Sequence, residues 1–214
     1  SVIIIPYGGI IKEINVPDRN GKIENIVLNY KKSEEYLEDN FFIGALIGRY
    51  ANRIENGTFS LGNENFQLDK NEGNNHLHGG KKGFNKNFWK VVDYDSVNEK
   101  FIKLSYYSKH LECGYPGNLN CDVKYSITDK NEFTIEFMAI SDKDTIFNPT
   151  SHSYFNLNPS KMSILDHELK INAKKYIPVN KKSLPKNDLK GIVDTAFDFN
   201  KSKKIKVDIN KNDD

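Results

Sequence analysis

The sequence predicts an all-β fold, a sandwich or a barrel, and three observations carry that prediction. Apolar residues recur with a period of two rather than 3.6. Clusters of Gly, Asn, Asp and Ser break these runs at short intervals, as strand-joining turns require. Helical stretches are few, with 33–39 the one candidate for a short turn.

The elements follow in order. The opening SVIIIPYGG starts directly on a strand-like run. Residues 58–68 read as a hairpin turning at Gly62-Asn63. Residues 88–94 and 101–107 form a second pair around Ser96-Val97-Asn98. In 121–127, Cys121, Val123, Tyr125 and Ile127 alternate with Asp122, Lys124 and Ser126. In 133–139, Phe133, Ile135, Phe137 and Ala139 alternate with Thr134, Glu136 and Met138. Asp129-Lys130-Asn131 between them is turn chemistry, so 121–140 is a long hairpin. Many strands with regular turns imply a sandwich or barrel. No repeat or interior linker intervenes, so residues 1–200 are expected to form one domain. Residues 201–214, KSKKIKVDINKNDD, are expected to be a polar charged tail with a solvated or frayed end. A sandwich ending in such a tail is expected to be incomplete at its C-terminus.

Composition narrows the function classes. Hydrophobic residues make up 37% of the 214 positions, but eleven Tyr and thirteen Phe supply large buried areas for a core. Thirty-one basic and 29 acidic residues leave a net charge of +2, spread along the chain, which gives no case for nucleic acid or an anionic membrane. No run approaches the length of a membrane span. Two cysteines, Cys113 and Cys121, are too few for a disulfide framework and read as reduced thiols in a cytoplasmic protein. The start has no basic region and no cleavage-site pattern, so no signal peptide is expected. It also lacks Met, and residues are expected to be missing upstream.

Chemistry concentrates in three stretches. His78 in NNHLHGG and His152 in NPTSHSYFNL each sit among Asn, Gly, Ser and Thr where a strand pattern gives way to turn residues. A rigid sheet holds polar side chains at its rim in such places, and imidazole exchanges protons near neutrality. GRYANRIENGTF at 48–59 adds Asn52 and Arg53. Only three of the basic residues are Arg, and two of these, Arg49 and Arg53, fall within five residues. Two imidazoles, an amide and a guanidinium suit a polyhydroxylated ligand such as a sugar. The blander alternatives stay open on spacing alone. His78 reads as a turn histidine bonded to backbone, His152 reads equally as catalytic or structural, and Arg53 reads as a salt-bridge partner of Glu55. His76 and His78, at i and i+2, have zinc-ligand spacing if the strand continues, with His152 as a third ligand, but Gly79-Gly80 follows at once. No metal is expected. His110 and His167 lie in charged segments and are expected to be solvated.

Taken together, GRYANRIENGTF, then NNHLHGG with GF and FW, then GYPGNL at 114–119 and NPTSHSYFNL at 148–157 resemble the aldose 1-epimerase (galactose mutarotase) family. YGGIIKEINVPDRNGKIENIVLNY resembles its opening hairpin, and YIPV at 176–179 and VDTAFDF at 193–199 its later stretches, so the likeness runs from about residue 7 to 199. LHGG and HSYFNL favour the free-sugar mutarotases over their hexose-6-phosphate relatives. The resemblance implies a large antiparallel β-sandwich of galactose mutarotase type with a sugar cleft. It implies interconversion of the α- and β-anomers of galactose or glucose, with a small-molecule hexose as partner and no metal or cofactor. By position it makes His152 the general acid at the ring oxygen, His78 the second active-site histidine, and Asn52 and Arg53 the sugar-binding pair. Two departures stand out. Ser151 replaces a common Asn, and the family's basic Glu and a sugar-binding Asp are expected beyond residue 214, since no Glu follows Glu168. The chain is therefore expected to be a fragment or a shortened homologue that lacks its base. Its rivals are a non-catalytic carbohydrate-binding relative and a histidine-ligated metal enzyme.

Overall fold

The computed structural model describes residues 1–158 and 162–211. The chain divides into two compact units, Ser1–Ile14 with Val27–Tyr154, and Asn15–Ile26 with Phe155–Asp214. The strands are β1 Val2–Ile5, β2 Ile10–Pro17, β3 Ile23–Asn25, β4 Leu46–Ile47, β5 Arg53–Ile54, β6 Thr58–Leu61, β7 Glu64–Gln67 and β8 His76–Leu77. They continue with β9 Lys90–Asp95, β10 Phe101–Ser108, β11 Leu119–Ile127, β12 Phe133–Ser141 and β13 Thr150–Ser151. The last four are β14 Glu168–Leu169, β15 Lys175–Tyr176, β16 Lys190–Gly191 and β17 Lys203–Lys204. All the helical segments described are single 3-10 turns, the first at Ser33–Leu37. The chain is all-β, and none of the described helices is long and apolar enough to cross a membrane.

The first unit is built on a four-stranded antiparallel sheet in the order β12-β11-β10-β9. Its register explains the alternation in the sequence. Cys121, Val123 and Tyr125 lie opposite Ala139, Phe137 and Ile135, and these three β11 residues are buried. The intervening Asp122 and Lys124 face the other side, where Lys103 bridges Asp122 at 2.7 Å. The β11–β12 turn closes through Thr128 N–H donating to Glu132 O at 3.0 Å, with Asn131 at φ 61°. Asn tolerates that left-handed conformation because its short amide bonds locally. The β9–β10 turn is held by Asp95, whose Oδ1 accepts from the N–H of Val97 and Asn98 at 2.7 and 3.0 Å. β6 and β7 form the hairpin at Gly62-Asn63.

The inner face of this sheet packs on the opening strand and β4. The Tyr125 hydroxyl donates to Gly9 O at 2.6 Å, and Leu104, Leu46 and Ile11 are almost fully buried. Phe84 and Trp89, from the GF and FW pairs, meet edge to face at 5.2 Å, with Trp89 Nε1–H donating to Phe84 O at 3.1 Å. Both cysteines are free, and burial pushes the Cys113 thiol up to about 11 and the Cys121 thiol up to about 12.

In the second unit, residues 15–17 pair with β3 across the Asp18–Lys22 turn. β14 pairs with β17 and β15 with β16, and Tyr176 stacks on Phe197 at 4.4 Å. Lys203 and Lys204, within the stretch expected to be a charged tail, pair with Leu169 and Glu168, and Lys203 bridges Asp208 at 2.6 Å. The end of that stretch, residues 212–214, lies outside the described residues.

Candidate active site

One extended segment, residues 44–54, brings the distant histidines together. On one side it binds the 148–152 strand. Thr150 and Ser151 pair with Ile47 and Leu46, Ala51 N–H donates to Asn148 O at 2.8 Å, and His152 N–H donates to Ala45 O at 2.9 Å. On its other side it binds β8. Arg53 and Ile54 pair with Leu77 and His76, and His78 N–H donates to Asn52 O at 3.1 Å. The ladders end at these residues, so the side chains of His78 and His152 project where regular pairing stops. Their ring centroids lie 5.3 Å apart and the planes are nearly perpendicular.

The state of His78 is fixed by its neighbours. Asn52 N–H donates to His78 Nδ1 at 2.9 Å, so Nδ1 carries the lone pair and the neutral ring carries its proton on Nε2. Burial, then the nearby His152 and Arg53, hold its pKa down to about 4. The neutral ring thus presents Nε2–H as a hydrogen-bond donor. Two left-handed residues make this contact possible, Asn52 at φ 68° and His78 at φ 53°. Such conformations persist only where the surroundings enforce them. The next two glycines let the chain after His78 pack against its surroundings. A Cβ on Gly79 would lie 1.6 Å from Gly48 O, and one on Gly80 would lie 2.2 Å from Asp69 Oδ1.

His76 does different work. Its Nδ1 faces Asp69 O at 2.7 Å and Asp69 Oδ1 at 2.9 Å, and its Nε2 meets the Tyr115 hydroxyl at 2.7 Å. The ring is fully buried. The strand stops at Leu77, so His76 and His78 do not share a face and the zinc spacing is not realised. Among the described residues no group of three His, Cys, Asp or Glu is arranged to hold a metal ion.

Aromatic rings wall the histidine pair. Phe42 meets His78 at 4.8 Å and His152 at 5.7 Å, while Tyr154 lies 4.9 Å from His152 and donates its hydroxyl to Phe41 O at 3.0 Å. Ser151 Oγ sits 3.3 Å from Ser153 Oγ. Arg53 bonds not to Glu55 but to Glu72. Its Nε donates to both carboxylate oxygens, at 3.0 and 2.8 Å, and NH2 contacts Oε1 at 2.5 Å. These bonds hold the Glu72 carboxyl below its usual range.

Arg49 is entirely structural. It is 2% exposed and bonds Ser108 Oγ, Thr145 Oγ1 and the carbonyls of Ser108, Lys109, Pro116 and Gly117. The GYPGNL stretch thus supplies two of the six acceptors, Pro116 O and Gly117 O, for this guanidinium. Glu112 is also held in the scaffold, accepting from the hydroxyls of Tyr106 and Ser108. His110 is exposed, as expected, and its Nδ1 accepts from Gly117 N–H at 2.9 Å. His167, also expected to be solvated, is half-buried, and its Nε2 accepts from Leu157 N–H at 3.1 Å. Sequence reasoning missed Phe42 and Glu72. Two aromatics at 41–42 just before Gly44 were a readable signal for the first, whereas Glu72 in NEGNN has none.

Comparison with known proteins places the chain among relatives of one family. The aldose 1-epimerase of Escherichia coli (strain K12) is 34% identical over 213 residues, covering 100% of this chain and 61% of that protein. Galactose mutarotase from Sus scrofa is 38% identical over 201 residues, covering 94% and 57%. Among solved structures, the aldose epimerase homologue from C. elegans superposes with a TM-score of 0.91 at 30% identity, over 96% of this chain and 62% of that one. Galactose 1-epimerase from Lactobacillus acidophilus NCFM superposes with 0.89 at 33%, over 99% and 61%. The chain thus spans about 60% of the length of these relatives. The fold is that of the galactose mutarotases, and the aldose 1-epimerase family model matches every residue from 1 to 214, so the chain belongs to that family.

Proposed function

We propose that residues 1–200 act as one mutarotase-like sandwich that binds a free hexose such as galactose or glucose and serves the interconversion of its α- and β-anomers. The observation that carries this reading is the 5.3 Å pairing of His152 with a His78 locked as a neutral donor. Ring opening removes a proton from the C1 hydroxyl, forms the C1 carbonyl, breaks the bond from C1 to the ring oxygen, and delivers a proton to that oxygen. His152 supplies this last proton, and His78 Nε2–H donates a hydrogen bond on the ring side of the sugar. Rotation about C1–C2 and reclosure on the other carbonyl face return both protons and invert C1. Asn52 and Arg53 hold sugar hydroxyls, and Phe42 and Tyr154 cover the apolar C–H faces. The relatives named aldose 1-epimerase and galactose mutarotase support the assignment.

The base that takes the C1 proton stands outside this cluster. Glu72 is the glutamate brought beside it among the described residues, and both its oxygens are engaged by Arg53. That engagement favours a second reading, a sugar-binding relative without turnover. Polarimetry on freshly dissolved α-galactose separates the two, alongside a galactose binding titration. The 214-residue chain is expected to bind galactose and to equilibrate it hardly faster than buffer, because an acid or base group contributes about 10²- to 10⁴-fold. In the longest form of the protein that its reading frame encodes, mutarotation is expected to be fast and to fall strongly in His152→Ala. Binding without acceleration in any form supports the second reading, full activity from the 214 residues refutes the missing base, and absence of binding refutes both readings.

A further inference from the structure

We propose that Glu72 is the positioning residue for Arg53, clamping one edge of its guanidinium so that the remaining donors face the Asn52–His78 side of the site. The inference rests on the hexose-binding reading and adds a residue to it. Arginine presents its donors in a rigid planar fork. Glu72 takes the Nε–NH2 edge through three contacts of 2.5–3.0 Å, and NH1 lies 3.4 Å from Asn52 Oδ1. The residue whose backbone locks His78 therefore also marks where the unclamped end of Arg53 points.

The clamp is itself anchored. Glu72 and Asn75 exchange backbone bonds, at 3.2 and 2.9 Å, closing a tight turn. The Asn71 side chain then clips that turn to β8, donating to Leu77 O at 2.9 Å and accepting from Leu77 N–H at 2.7 Å. Arg53 and Glu72 side chains are 22% and 35% exposed, so without the clamp a long flexible side chain would face solvent at the rim. Such a side chain loses rotamer freedom each time it meets a ligand, and holding it in place beforehand removes that loss.

The test is galactose titration of the 214-residue chain, of Glu72→Gln, of Arg53→Ala and of the double variant, with ¹H–¹⁵N spectra of arginine Nε–H groups. Only three arginines are present, and Arg53→Ala identifies the Arg53 signal. Parental Arg53 Nε–H is expected to be protected from exchange, and Glu72→Gln is expected to shift it and expose it. Glu72→Gln is expected to weaken galactose by about two- to tenfold, the cost of immobilising one rotamer-rich side chain on binding. In the Arg53→Ala background it is expected to add almost nothing, because residues acting through one contact are not additive. An unprotected parental Arg53 Nε–H, once Arg53→Ala has identified its signal, overturns the proposal whatever the titrations show. A parental chain that binds galactose while Glu72→Gln binds equally well, or whose two losses simply add, overturns this inference alone. A parental chain that does not bind galactose overturns the hexose reading and this inference with it.

Discussion

Arg49→Lys is the most demanding test of the scaffold beneath the site, because charge and approximate length are kept while the donor geometry is lost. Arg49 is 2% exposed and reaches six acceptor atoms between 2.8 and 3.3 Å. A lysine ammonium has three donors and no planar fork, so at least three acceptors lose their partner. Each buried group left unsatisfied costs about 1–3 kcal/mol, and carbonyls with a second lone pair in use fall at the low end. The expected loss is therefore about 3–5 kcal/mol, a large share of the roughly 5–15 kcal/mol typical of a folded domain. Trp89 is the one tryptophan, it is buried, and it lies in the same compact unit as Arg49 and all its acceptors. Urea unfolding followed by Trp89 fluorescence thus reports on the right unit, with the loss read as a lower midpoint at unchanged slope. A loss below about 1 kcal/mol would refute the argument that these bonds hold the 108–117 loop to the site segment.

Two further predictions follow from the same geometry. The His78 pKa is depressed to about 4 from an ordinary value near 6.5, so between those pH values the unfolded chain carries a proton that the folded chain refuses. The His78 contribution to stability is fully present above pH 6.5 and lost as pH falls toward 4, and the pH dependence of the urea midpoint should flatten over that window in His78→Gln. Gly79→Ala places a Cβ 1.6 Å from Gly48 O at a residue with φ +88°, so that variant is expected to fold poorly or lose galactose binding, as seen by circular dichroism and titration. A fully stable, sugar-binding Gly79→Ala would contradict the tight turn after His78.

The hairpins were legible because their residues state their own pairing. Cys121, Val123 and Tyr125 alternate with polar neighbours, and a period of two has one structural meaning when turn residues close it. His78 and His152 were legible as members of one site through their polar settings and the likeness of the flanking motifs to one family. The distance between them was not legible. It depends on both strands pairing with residues 44–54, a tertiary fact without local signature. Partner choice among charges was equally hidden. Arg53 prefers Glu72, nineteen positions away, to nearby Glu55, because the β5–β8 ladder and the 72–75 turn deliver that carboxylate. The same holds for His76, which two positions from His78 ends against Asp69 and Tyr115 in the core.

The most direct measurement follows the imidazole ¹H–¹⁵N correlations of the five histidines while galactose is added to the chain. The account predicts that His78 appears as the Nε2–H tautomer at neutral pH, that His78 and His152 shift together and saturably, and that His76, His110 and His167 stay in place. Unchanged His78 and His152 signals at saturating galactose, or a response centred on the other three rings, would contradict it.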